Sequence, residues 1–189
     1  MSAPQHAPRG ADQPLPAGAG GVMTVADLGF DGPARLLAGY GLALERVADG
    51  AAIPGSYWGE PEAGIIGDRV YARADTPVHS LLHEACHLIV LPPERRAAVH
   101  TDATDSIAEE DAVCVLQVLV ADALGVGRER AFADLDAWGY SFRLGSARAY
   151  FERDADEAFA WLEAHGLVDA ARRLRPPQDA HRHADAGAH

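Results

Sequence analysis

Lysine is absent from this chain: all 16 basic residues are arginine. That excludes a lysine Schiff base and a phosphate-cradling P-loop lysine. No G-x-S-x-G elbow, C-x-x-C pair or G-x-G-x-x-G loop occurs either, so most common enzyme chemistries are removed at the outset. Cysteine is scarce. Cys86 and Cys114 are the only two, too few for a disulfide framework. No apolar run approaches the about 18 residues that a bilayer requires, and the N-terminal stretch lacks the charged segment and apolar core of a secretory signal. An excess of positive charge is missing as well. A net charge of -12 argues against a nucleic-acid surface, because phosphate binding needs clustered cations. The expectation is a cytoplasmic, reduced protein with neither a membrane nor a nucleic-acid partner.

What is present is ordinary globular material. The 189 residues are 48% hydrophobic and 23% charged, enough for one domain with its own core. Residues 1–22 and 175–189 are rich in Pro, Gly and Ala without apolar periodicity, and are expected to be disordered tails around a folded unit of 23–174. Within it, residues 31–41 read as a short helix with Asp31 as N-cap and Pro33 in the first turn. Residues 42–49 alternate as a strand, 50–64 are turn-rich, and 65–73 form a second strand. Thr76 and Pro77 open a helix over 77–91 that Pro92 and Pro93 stop. A polar connection, with room for one helical turn, leads to an apolar helix over 107–125 ended by Gly125. Further helices are expected at 128–138 and 146–165. The order predicts an α+β fold, with a small antiparallel or mixed sheet packed on a helical core.

The first long helix carries the chemistry. In "TPVHSLLHEACHLIVLPP" (76–93), His83 and His87 stand four residues apart, so both imidazoles reach one point in space. Glu84 sits beside them without joining them. His83-Glu84-Ala85-Cys86-His87 thus matches the H-E-x-x-H pattern, in which two histidines hold zinc and the glutamate is the general base toward the metal-bound water. Chance alone would produce roughly 0.025 such matches in a chain of this composition, so context must decide. A core helix whose histidines bond to their neighbours is the competing reading.

Catalytic zinc takes three protein ligands and leaves one position for water. Pro93 stands where a histidine of the metzincin pattern would be required. The next helix opens with Glu109, Glu110 and Asp111. Their acidity suits a helix N-terminus in itself, but an acid pointing into an apolar helix contact needs a cation. A strand, an H-E-x-x-H helix, a connection and a glutamate starting the next helix resemble the gluzincin metallopeptidases. The compact order is most similar to the minimal gluzincins, IrrE/ImmA-like proteins included, over residues 31–125. In several gluzincin groups the third ligand begins an E-x-x-[AS]-[DN] pattern. Glu109-Glu110-Asp111-Ala112-Val113 fits it through Ala112, which makes Glu109 the first choice, with Glu110 the alternative one residue round the helix. Val113 departs from the pattern. So does Cys86, where many relatives have glycine; it is small enough to allow a similarly close helix approach and comes near Cys114 if it does.

Other candidates are secondary. His79 lies one turn before His83. His100, Asp102 and Asp105 sit in the connection, where each is in place to orient a ligand imidazole. Trp138, Phe142, Tyr150 and Phe151 read as anchors of the C-terminal helices, while Tyr140, Arg143 or Arg148 would stabilise an oxyanion if they lined the cleft. His181, His183 and His189 are given no role. The resemblance implies a zinc-dependent peptidase acting on a peptide or protein substrate, with Zn2+ on His83, His87 and Glu109 or Glu110, and a zinc-bound water activated by Glu84. The alternative is a metal-stabilised binding or regulatory protein that keeps the fold without turnover.

Overall fold

The computed structural model describes residues 21–103, 106–139, 142 and 144–177. Asp105, Tyr140, Arg143 and the tail histidines His181, His183 and His189 lie outside the described residues, as does most of both expected tails. The architecture is α+β. Helices α1 (Val25–Leu28) and α2 (Asp31–Gly39) precede strands β1 (Ala43–Arg46), β2 (Gly64–Ile66) and β3 (Arg69–Ala72). Six helices follow: α3 (Val78–Val90), α4 (Pro93–Arg96), α5 (Ile107–Ala123), α6 (Arg128–Trp138), α7 (Ala147–Arg153) and α8 (Asp156–Ala164).

The sheet is mixed, in the order β1-β3-β2, with β1 parallel and β2 antiparallel to β3. Val70 and Ala72 are fully buried, while Arg69 between strand and turn is exposed, so β3 shows the period-2 burial of a one-faced sheet. The second expected strand is in fact a hairpin. Ile66 pairs with Arg69 across Gly67 and Asp68, and Gly67 takes φ +61°, the glycine-first two-residue turn that matches strand twist.

Two expected caps also differ. Phe30 precedes α2 as its cap and Asp31 is the first helical residue. Pro77 caps α3, while the Thr76 hydroxyl accepts from the Arg73 amide at 2.9 Å and closes the turn out of β3. The expected helix over 146–165 breaks at Asp154 and Ala155 into α7 and α8. Helix α1 had no sequence counterpart. It is tied down by Val25 N–H donating to the Thr76 carbonyl and Ala26 N–H to that of Ala74. At the other end Arg175 belongs to the fold: its amide donates to Leu167 and its Nε to Val168.

All thirteen residues of α3 are buried. The sheet packs on one side and α5 on another, itself buried from Ala112 to Ala121. Leu81, Leu88, Ile89, Leu116 and Val120 are wholly enclosed in the core, where truncating one leucine costs about 2–5 kcal/mol. The end of α3 is satisfied by Arg96. Its Nε donates to the carbonyls of Leu88 and Leu91 at 2.8 and 3.1 Å, and Nη1 to that of Tyr40 at 2.8 Å. Carbonyls left over at a helix C-terminus need such partners.

Candidate metal centre

The α3–α5 contact brings three potential ligands together. His83 and His87 lie one turn apart on the face of α3 toward α5, and Glu110 projects from the first turn of α5. Nε2 of His83 and Nε2 of His87 are 3.1 Å apart. Glu110 places Oε1 3.5 Å from the first and Oε2 3.5 Å from the second. Among the described residues this is the group whose His, Cys, Asp or Glu atoms all fall within 4.8 Å of one another. Donors around a tetrahedral ion with bonds of about 2.0–2.1 Å stand about 3.3–3.4 Å apart, so the residues present fit a zinc-sized cation.

Glu109, the first choice from sequence, is not in this group. Ser106 caps α5 by accepting from the Glu109 amide at 3.1 Å, which fixes the helix register. The Glu109 carboxylate then receives Nη1 of Arg95, on α4, at 2.7 Å. One residue is a 100° turn on a helix, and here it separates an acid paired with arginine from one facing two imidazoles.

His83 is held from behind. The Gln117 amide oxygen accepts from Nδ1 of His83 at 3.3 Å, which keeps the proton on Nδ1 and leaves Nε2 as a lone pair toward His87 and Glu110. Burial lowers the His83 pKa to about 4, against which the Gln117 bond works only partly. The ring is therefore neutral near pH 7, the form that ligates metal. Sequence reading missed Gln117, yet a signal existed: it is the one polar residue in "VCVLQVLV", and such a residue must find a partner. It lies seven positions after Glu110, on the same helix face.

Glu84, 8% exposed like the two histidines, stands outside the ligand group. Burial pushes its carboxyl pKa well up, and the charges of Glu62, Glu110 and Asp102 push it the same way. A cation beside it offsets this pressure and favours the carboxylate that a base must be. Glu62 is buried on the segment entering β2 and carried no sequence signal. That segment is pinned to α3 one turn before Glu84, where Ser80 Oγ accepts from the Ala63 amide at 3.1 Å. Set against protein-family models, curated proteins and solved structures, the chain matches none. The site must be argued from its own atoms.

The remaining candidates fall elsewhere. His79 is buried, with its ring centre 4.6 Å from that of Trp138. His100 is exposed and bonded to Thr101 Oγ1 at 2.9 Å. Asp102 acts on the site through its charge on Glu84. Arg148 pairs with Glu129 and Glu152 and covers the Phe132 ring, so it is a packing residue of α6 and α7. Phe142 stacks on Tyr150, and Phe151 lies between Phe132 and Phe159. Cys86 and Cys114 are free and buried, their thiols pushed up by burial, which suppresses the reactive thiolate.

Proposed function

We propose that this protein is a zinc-dependent metallopeptidase of the gluzincin kind, with His83, His87 and Glu110 as ligands and Glu84 as general base. The observation carrying the reading is the convergence of those two Nε2 atoms and one carboxylate at 3.1–3.5 Å, with a buried glutamate alongside that is not part of the group. Zinc, when bound, supplies Lewis acidity that polarises a carbonyl and makes water acidic enough to deprotonate near neutral pH. Glu84 accepts the water proton as the water attacks and hands it to the departing amine. Gln117 orients His83, and the low exposure of the site strengthens each of these electrostatic contacts.

The test begins with zinc content after repletion, then hydrolysis across a fluorogenic peptide library. Glu84→Gln should keep the zinc and the fold and lose hydrolysis by at least a hundredfold. A repleted protein that holds no zinc would sink the reading. The second reading, a metal-stabilised binding protein, is favoured by the 8% exposure of Glu84; it requires zinc to bind while no peptide is cleaved by the wild type.

Among the described residues no helix is long and apolar enough to cross a membrane. Two enclosed free thiols suit the reducing cytoplasm we assign to the protein.

A further inference from the structure

A strand at the rim of a sheet offers unpaired amides and carbonyls, and extended polypeptides bind by adding a strand to them. In this protein the outer rim of β2 is taken by its own chain. The Ile65 amide donates to the Gly55 carbonyl at 3.3 Å, and the Ile65 carbonyl accepts from the Thr101 amide at 3.0 Å. The Gly67 amide donates to Val99 at 2.9 Å, and His100 bridges Ile66 in antiparallel sense. Glycines make the closure possible: a Cβ on Gly64 would stand 2.1 Å from the Pro54 carbonyl oxygen, and one on Gly55 2.4 Å from that of Ile65.

The chain entering β2 is fixed to the helix that carries His83 and His87, where the Ala63 amide donates to Ser80 Oγ at 3.1 Å. The two segments that cover the rim are not held alike. Gly55 takes its φ of +70° freely, whereas Thr101 is forced to φ +73°, a left-handed conformation that a β-branched residue rarely adopts. The strain offsets part of what its hydrogen bond contributes, so the 99–102 segment is the one that leaves more readily.

We propose that residues 99–102 occupy the place of an extended substrate on β2. The folded protein then takes short peptides or chain ends at the His83–His87–Glu110 centre. A long extended polypeptide enters only when this segment leaves the rim. The proposal rests on the peptidase reading, and its test separates the two.

Thr101→Pro removes the amide that holds the segment, and Thr101→Gly keeps the amide while relieving the strain. The readout is the ratio of kcat/KM on reduced, carboxymethylated α-lactalbumin to that on a fluorogenic tetrapeptide, in zinc-repleted protein with unchanged far-UV circular dichroism. Thr101→Pro should raise the ratio at least fivefold and speed amide exchange at Gly67; Thr101→Gly should lower the ratio. An unchanged ratio in both variants, or unchanged exchange at Gly67 in Thr101→Pro, overturns the proposal. If the wild type cleaves nothing, the peptidase reading fails alone. Binding of the labelled α-lactalbumin chain then decides: at least fivefold tighter binding to Thr101→Pro than to wild type supports the occupied rim, and equal binding refutes it.

Discussion

The amide oxygen of Gln117 lies 3.3 Å from Nδ1 of His83, across the imidazole from the nitrogen that faces Glu110. A partner there fixes both the tautomer and the ring plane of a ligand, and losing one typically costs 10–100-fold in metal affinity. Gln117→Leu should weaken zinc binding by about that factor, while Gln117→Glu, which keeps the acceptor, should bind at least as tightly as wild type. Competition with a chromophoric chelator measures both. Equal affinity in the leucine variant would remove Gln117 from the site.

The adjacent glutamates should separate cleanly. Glu110→Gln should lose more zinc affinity than the roughly 10–100-fold a supporting residue costs. Glu109→Gln should keep full zinc content. Because Arg95 is 49% exposed on its side chain, breaking its pair with Glu109 should cost at most about 1 kcal/mol. Metal analysis and urea melts of the two variants read these effects, and a reversed order would restore Glu109 as ligand.

Acid should destabilise the metal-free protein through its buried histidines. Burial, helped by His83, lowers the His79 pKa from 6.5 to about 3. The unfolded chain takes up this proton near pH 6.5 and the folded chain only near pH 3, so the contribution is complete above pH 6.5 and lost as pH falls through that window. Each such group contributes a slope of about 1.4 kcal/mol per pH unit. His83 behaves alike, with burial lowering it to about 4. His79→Phe should therefore lower the slope by about 1.4 kcal/mol per pH unit between pH 6 and pH 4.5, read from urea midpoints in EDTA-treated protein. A slope unchanged by the substitution would show that His79 charges freely in the folded state.

Arg96 should be among the costliest residues to replace. Its guanidinium serves three carbonyls from a position only 5% exposed. Arg96→Met leaves those carbonyls without their donor and should cost about 3 kcal/mol or more. Arg96→Lys should recover little, because a point ammonium cannot span the three as a planar fork does. Equilibrium unfolding decides, and a loss under 1 kcal/mol would contradict the capping role.

The legible parts of the chain were those with long periodic patterns. α6 was expected at its observed limits, and α3 and α5 within two residues at each end, because apolar spacing and Pro or Gly punctuation act locally. What stayed hidden depended on partners far along the chain. Glu109 satisfied a spacing pattern better than Glu110, but Arg95, fourteen positions away, claims its carboxylate. Gln117 and Glu62 gain meaning only once α5 and the segment before β2 lie against α3. The hairpin at Gly67-Asp68 was readable in principle and was missed because the apolar pattern runs through it.

That α3 is enclosed on every face has a practical consequence. Many functional groups ride on loops that soften well before the rest of a molecule; here both histidines and the glutamate lie on a helix buried along its whole length. Heat should not produce an inactive yet folded species. If the proposed zinc binds, its release, the loss of near-ultraviolet dichroism and the exposure of the two thiols to a labelling reagent should share one midpoint, so that the bound ion would report directly on whether the chain is folded.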